Sequence, residues 1–591
     1  MKRILKGFLP YMPSFIMVCL FVFGRTMADL QLPKLMADIV NNGIAAGDTP
    51  YILKTGGEML LVSLFGMACA IGTSYLSSRN AMGFSRDLRN KTFTKIENFG
   101  QSEFDTFGTA SLITRSTNDV RQMQMLLMMG QRMMLAAPIM FIGGIINVLR
   151  TNLPLSTILI FSLPAVILSV TMIAGRATPM FDIMQKRLDR LNLVMREGLS
   201  GVRVVRAFIR DDYQQERFNK ANEDLTDNAI RVNRLLALQS PVMTIIMNIT
   251  IVATLWFGSL FINSGSLMIG DLMAFIQYIG MILGSLMGLS MIFIMYPRAA
   301  VSADRINEIL DTQITVEQPL SEKIIPFPKN DEVTVAFDHV TFRYPGSEAP
   351  VLHDITFTAS PGQTVAVIGG TGSGKSTVAQ LLLRFYDMES GSITMNGVDI
   401  RNLDLSKLRE RIGFVSQKTL LFTGSVADNI RYGKEDATDE EVLEALEIAQ
   451  AAKFVQAMPD GIHSNVSQGG TNFSGGQKQR LSIARALVRK PPVYVFDDSF
   501  SALDFRTDAN LRKAMQPMTK RSTVIIIAQR VSTIMNSDLI LVMNEGRIVG
   551  QGTHEDLLAH CKVYQEILES QLSVEEYSVK ALGGEAGAQN E

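Results

Sequence analysis

The hydrophobic pattern divides the chain in two. Six apolar runs, at about 13–35, 57–78, 133–149, 153–175, 241–263 and 271–297, approach or exceed the ~20 helical residues needed to cross a bilayer core of ~30 Å. The third is short by hydropathy alone and is expected to extend toward Leu126. From residue 331 onward the pattern changes. Short β-branched runs alternate with glycine-rich turns and amphipathic helical periods, which predicts an α/β domain. Between the halves, Pro319, Pro326 and Pro328 in a polar stretch predict an extended linker over 312–330, after a helix through Ala303 to Leu310. The Gly/Ala/Glu-rich tail, 575–591, is expected to be disordered.

Basic residues orient the spans. Lys2, Arg3 and Lys6 precede the first; Arg79, Arg86, Arg89, Lys91 and Lys95 follow the second; Arg176, Lys186, Arg187 and Arg190 follow the fourth. Those segments, with the N-terminus, are expected on the cytoplasmic side. The loops after spans one, three and five are short or acidic and belong outside. The connections after spans two and four are long and helically periodic, without Gly/Pro-rich punctuation, so helices should continue well beyond the membrane. The first apolar stretch runs to about Leu35 without a small-residue cleavage site, which favours a retained anchor over a signal peptide.

Composition adds mainly exclusions. The formal net charge of the 591 residues is −1, so no nucleic-acid partner is expected. The three cysteines, Cys19, Cys69 and Cys561, are too scattered for a disulfide framework or a metal site.

The soluble half carries the chemistry. Gly369-Gly370-Thr371-Gly372-Ser373-Gly374-Lys375-Ser376-Thr377 follows the strand-like 364–368 and precedes a helical run. That is the strand–loop–helix context of a phosphate-binding loop. Its glycines let backbone N–H groups close around phosphates at a helix N-terminus. Lys375 would reach the β- and γ-phosphates of ATP, and the Ser376 hydroxyl would hold Mg²⁺. Alone, such a motif can be a plain glycine-rich turn; here Phe473-Ser474-Gly475-Gly476-Gln477, opening a helix through Leu487, and the acidic strand end Asp497-Asp498 follow in order.

Together these segments resemble an ATP-binding-cassette motor, and nearly the whole chain resembles the type IV ABC exporters. The resemblance implies an all-α six-helix transmembrane domain over 1–311, including two cytoplasmic coupling regions around Glu103–Thr109 and Glu197–Phe208, and an α/β P-loop nucleotide-binding domain over 331–574. It implies that Tyr344 stacks on adenine, that Gln417 touches Mg²⁺ or water, and that Asp497 holds Mg²⁺ through water. Ser474, Gly475, Gly476 and Gln477 would contact ATP bound to the opposite subunit, and Asp504, in Ser501-Ala502-Leu503-Asp504, would communicate across the dimer. A buried structural tyrosine is the alternative for Tyr344.

Two positions depart from the family. Asp498 stands where it usually has the glutamate that polarises water, and Gln529 where it has a histidine. The shorter side chain retracts the carboxylate by roughly 1–1.5 Å; an amide can donate a hydrogen bond but cannot titrate near neutrality. Before the signature, Ser464-Asn465-Val466-Ser467-Gln468-Gly469-Gly470 replaces the usual Thr-Glu-Val-Gly-Glu-Arg-Gly. The combination resembles the weak-site half of heterodimeric bacterial multidrug exporters. The expected function is ATP-driven export of amphipathic, multidrug or lipid-like compounds across a bacterial cytoplasmic membrane, beside a homologous half. A homodimeric lipid or drug flippase, or a siderophore importer on the same fold, remains open.

Within the spans, Arg25 and Asp29 lie four apart on one helical face, and Glu58 begins span two. A structural pair or interfacial anchor and a substrate contact both fit them. Methionine, 34 residues in all, suits an adaptable binding surface but is also ordinary membrane filler.

Overall fold

The computed structural model describes residues 1–319, 324–327 and 332–571. The 575–591 tail and part of the linker lie outside these residues. The chain forms two compact units: Met1–Ile96 with Ala110–Thr312, and Glu97–Thr109 with the chain from Gln313 on.

The first unit is helical. Among the described residues six helices are long and apolar enough to cross a membrane. Its main elements are α1 (Met12–Asp38), α2 (Thr49–Glu97), and, after a short helix α3 (Gln101–Phe107) that belongs to the second unit, α4 (Val120–Thr151), α5 (Ile158–Ser200), α6 (Val202–Ala207), α7 (Asp211–Ala237), α8 (Gln239–Asn263) and α9 (Ile269–Asp311). The short apolar run 133–149 is embedded in α4, which starts well before it. The helix expected over 303–310 is the end of α9, continuous with span six through Pro297. Helices α2 and α5 run far past their apolar segments, because their polar extensions keep a helical period; α5 continues through Pro179.

Packing in this unit is one-sided. α1, α4 and α9 bury Leu30, Val148, Phe275, Tyr278 and Ile282 in a common core, whereas Leu60, Leu61, Ile71, Phe161 and Trp256 are each more than half exposed. In water such a surface would be an aggregation liability; in a bilayer it is the lipid-compatible face, while backbone polar groups are satisfied inside the helices. Arg132, at the start of span three, donates through Nε to Ser77 Oγ at 2.8 Å and through Nη2 to Ser78 Oγ at 2.9 Å and the Ser74 carbonyl at 3.1 Å. These bonds supply acceptors to a cation at the membrane boundary.

The second unit is α/β. β1 (Val335–Phe342), β2 (Leu352–Ala359), β4 (Ser390–Met395) and β5 (Val398–Asp399) make an antiparallel sheet in the order β2-β1-β4-β5. β3 (Thr364–Gly369), β6 (Ile412–Val415), β7 (Val493–Asp497), β8 (Thr523–Ile527), β9 (Leu539–Asn544) and β10 (Arg547–Gly552) form a six-stranded sheet in the order β10-β9-β3-β8-β7-β6. Its strands β9, β3, β8, β7 and β6 are mutually parallel. β7 and β8 are buried on both faces, which explains why they read as continuous apolar runs and not as alternating strands. The helices that matter for the site are α10 (Lys375–Leu382), α11 (Gly475–Leu487) and α12 (Phe505–Thr519).

Phe496, fully buried in β7 among Tyr494 and Phe500, tests this core. Phe496→Ala should cost about 3–5 kcal/mol, seen as a lowered unfolding midpoint of the nucleotide-binding unit in the intact protein.

Candidate functional site

The parallel register puts three strand ends side by side. Ile527 of β8 pairs with Val367 of β3 and with Asp497 of β7. The loops leaving those strands therefore start from one edge, where open parallel sheets place their ligands.

The loop from β3 into α10 is built by close approach. A Cβ on Gly369 would fall 2.2 Å from the Met543 carbonyl oxygen, and Gly374 has φ +92° with Leu352 against it. Within it the Lys375 ammonium donates to the carbonyls of Gly369 at 2.8 Å and Gly370 at 2.7 Å. Burial lowers the Lys375 pKa, partly offset by Asp498 and Asp497. An anionic phosphate chain would add to the opposite charge that Asp498 and Asp497 give this desolvated cation. Thr371, Gly372, Ser373 and Thr377 complete the cradle around α10.

Ser376 Oγ donates to Asp497 Oδ1 at 2.8 Å, so hydroxyl and carboxylate, the two oxygen donors of a P-loop magnesium site, already touch. Burial raises the Asp497 pKa, Asp498 adding to it, and the Ser376 bond opposes both. A bound cation would relieve that cost, so the pair fits Mg²⁺.

Asp498 is the node. It adopts φ +47°, with its N–H bonded to the Ile527 carbonyl at 2.9 Å. Its Oδ2 accepts from Gln529 Nε2 at 3.0 Å and from Gln417 Nε2 at 3.1 Å. Ser501 Oγ donates to its backbone carbonyl at 2.9 Å, as does Gln479 Nε2 at 3.3 Å. The three residues expected to carry chemistry thus meet at one carboxylate oxygen. Among the described residues Asp498 Oδ1 and Gln417 Oε1 accept no hydrogen bond.

The signature residues are not joined to this cradle. Ser474 and Gln477 bond reciprocally, Ser474 N–H to Gln477 Oε1 at 2.8 Å and Gln477 N–H to Ser474 Oγ at 3.3 Å, forming a capping box on α11. Ser474 and Gly475 are exposed and Gly476 is partly exposed. Among the described residues no hydrogen bond links them to 369–377. Asp504 caps α12 through Thr507 N–H at 2.9 Å, a structural use that its side chain has within this chain. The loop before the signature is tied by Ser467 Oγ to Asn472 Oδ1 at 2.8 Å, Asn472 Nδ2 to the Asn465 carbonyl at 2.9 Å and the Lys478 ammonium to the Gly469 carbonyl at 2.9 Å.

Comparison with known proteins agrees with this geometry. Residues 15–286 match the family described as ABC transporter transmembrane region, and residues 352–501 match ABC transporter. An uncharacterized ABC transporter ATP-binding protein of Mycobacterium tuberculosis (strain CDC 1551 / Oshkosh) is 44% identical over 567 residues, 95% of this chain and 96% of that protein.

The chain belongs to the ABC transporter family.

A probable multidrug resistance ABC transporter ATP-binding/permease protein, YheI of Bacillus subtilis (strain 168), is 30% identical over 97% of each chain. A bacterial Atm1-family ABC exporter, solved with ATP bound, superposes with a TM-score of 0.77 at 26% identity, over 95% of this chain and 98% of that one. This ABC transporter is accordingly a multi-pass membrane protein, with six transmembrane helices and an ATP-binding domain of the type IV exporter fold.

One contact of the transporter's nucleotide-binding unit was not foreseen. Tyr344 is half-buried, its OH near Thr377 Oγ1 at 3.0 Å and donating to Gln380 Oε1 at 2.9 Å; burial raises its pKa. Its ring meets that of Tyr386 edge-on, with centroids 5.2 Å apart, and the Tyr386 OH donates to Asp105 Oδ2 at 2.6 Å. Nearby, Glu103 Oε1 accepts from the Thr315 N–H at 3.0 Å and hydroxyl at 2.7 Å, while Oε2 accepts from Gly100 N–H at 2.7 Å. These bonds explain why Glu97–Thr109 clusters with the nucleotide unit, although its sequence position assigned it to the membrane domain. Tyr386, inside Arg384-Phe385-Tyr386-Asp387, carried no signal of its own; only the fold brings it to Asp105.

Tyr386→Phe keeps the rings and removes that one hydrogen bond to a carboxylate, worth about 1.5–3 kcal/mol. Hydrogen exchange in Gln101–Phe107 should accelerate by roughly tenfold or more, with exchange in β3 unchanged.

Proposed function

We propose that this chain is the weak-site half of a heterodimeric ABC exporter that moves amphipathic compounds across a bacterial cytoplasmic membrane at the expense of ATP, its nucleotide-binding domain in the cytoplasm. One observation carries the reading: Asp498 and Gln529, bonded to each other at 3.0 Å, stand where the family has its glutamate and histidine, while the signature Ser474–Gln477 is intact with Ser474 and Gly475 exposed. The multidrug relative supports the substrate class.

The chain's own phosphate loop retains Mg-ATP. Lys375 and the loop N–H groups bind the phosphates, Ser376 and Asp497 hold Mg²⁺ with Gln417 Oε1 at its edge, and Tyr344 stacks on the base. Hydrolysis here is slow. The Asp498 carboxylate sits back by about one methylene, and a displacement of ~1 Å can cost ~10²-fold. Gln529 fixes that carboxylate by a neutral amide, so the site holds geometry without a titrating partner. Ser474–Gln477 complete the partner half's site, where turnover is fast. ATP stabilises the closed pair of motors, and hydrolysis at the partner's site releases it.

Alone, the purified chain should therefore bind ATP and turn it over slowly; vigorous amphiphile-stimulated ATPase activity from a verified homodimer would sink the proposal. In the assembled transporter Ser474→Ala should depress turnover strongly, by ~10²-fold, as loss of a transition-state donor does, whereas Asp498→Asn should change it only a few-fold. Equal losses would reverse the assignment of the two sites. Asp498→Glu with Gln529→His should shorten the residence of labelled nucleotide trapped in single-turnover measurements, and unchanged slow release would argue against this account of the slow site.

A further inference from the structure

Arg25 stands at the midpoint of α1, thirteen residues from each end of Met12–Asp38. At 1.5 Å per residue it lies about 20 Å from either end, too deep for its side chain to snorkel to an interface. Asp29 is one turn further on. Their closest atoms, Arg25 Nε and Asp29 Oδ2, are 3.7 Å apart, and the side chains are 54% and 36% exposed.

Other polar side chains of the membrane helices do find partners. Thr26 Oγ1 donates to the Val22 carbonyl at 2.8 Å, Tyr278 OH to the Leu30 carbonyl at 3.0 Å, and Arg132 to three acceptors on α2. Arg25 and Asp29 make no hydrogen bond to any described residue. The pair cancels its net charge through the single Nε–Oδ2 approach, and the two terminal guanidinium nitrogens and Asp29 Oδ1 have no hydrogen-bond partner among the described residues. Hydrocarbon cannot satisfy them; water or a polar ligand can. Leu32 and Met36, both partly exposed, continue the same stripe at the helical spacing i+7 and i+11 from Arg25. The stripe thus offers a charged end and an apolar end to one ligand.

We propose that Arg25, Asp29, Leu32 and Met36 line the translocation path and select zwitterionic amphiphiles. Arg25 takes the anionic group of the head through its planar fork of donors, Asp29 takes the cationic group, and the leucine and methionine take the start of the tail. This rests on the reading of the chain as an amphiphile exporter and names the substrate class of that path.

Two measurements on the full-length protein test it, both made with the half that accompanies it. First, in native membranes and a background lacking Cys19, Cys69 and Cys561, Arg25→Cys and Asp29→Cys should react with a membrane-impermeant thiol reagent at least about tenfold faster than Phe23→Cys, an exposed residue elsewhere on α1. Unreactive thiols at 25 and 29 would mean that the pair faces lipid or a helix of the other half, and would overturn the proposal. Second, in nanodiscs without nucleotide, binding is followed for three fluorescent amphiphiles of one chain length with trimethylammonium, sulfonate and sulfobetaine heads. The sulfobetaine should bind wild type tightest. Asp29→Asn should weaken the trimethylammonium and sulfobetaine probes about tenfold and spare the sulfonate, and Arg25→Gln should weaken the sulfonate and sulfobetaine and spare the trimethylammonium. Equal effects on all three probes would overturn it. Wild type that binds with this charge pattern but does not move the probes on ATP addition would instead defeat the export reading and leave the binding site standing.

Discussion

The parallel pairing of β3, β7 and β8 is the constraint on which the nucleotide-binding unit depends. It sets Val367, Asp497 and Ile527 level, two residues before Gly369, and two hydrogen bonds carry that alignment past the strand ends: Asp498 N–H to the Ile527 carbonyl at 2.9 Å and Ala528 N–H to the Val367 carbonyl at 3.1 Å. The phosphate loop, the acidic pair and Gln529 are more than 120 residues apart at their extremes, yet they converge because those strands are neighbours. A change in the order of the strands would leave each motif intact and the site absent.

Convergence also gives the substitutions a joint meaning. Asp498 and Gln529 are linked through one oxygen, with Gln417 as a second donor. The shorter carboxylate is thus embraced by two neutral amides in an ordered, half-buried setting. A site of this kind keeps its shape without a base–imidazole pair. The capping box of Ser474 and Gln477 contrasts with this: its two N–H groups are satisfied by each other's side chains, which fixes the first turn of α11 while Ser474 and Gly475 stay exposed.

The segment Glu97–Thr109 clusters with the nucleotide unit through polar bonds. Glu103 is buried to 4% exposure yet fully used by Gly100 and Thr315, so its carboxylate locks a turn and does not float as an isolated charge. The contiguous rings of Tyr344 and Tyr386 bring the expected base-stacking residue within one side chain of Asp105.

The sequence by itself determined the six spans, the change to an α/β half, and the residues of the phosphate loop, signature and acidic strand end. These depend on local signals: apolar length against bilayer thickness, glycine spacing, and buried β-branched runs. It also placed Arg25 and Asp29 on one face of a helix, since i and i+4 are neighbours on any α-helix. Only the tertiary structure decided that Asp498 Oδ2 takes both amides, that Tyr386 meets Asp105 across 281 positions, that Glu97–Thr109 clusters with the nucleotide unit, and that Arg25 and Asp29 lack the hydrogen bonds Arg132 has. Each of these is a pairing between distant segments or the lack of one. Periodicity and motif spacing say which residues a segment offers, but not which other segment will stand opposite.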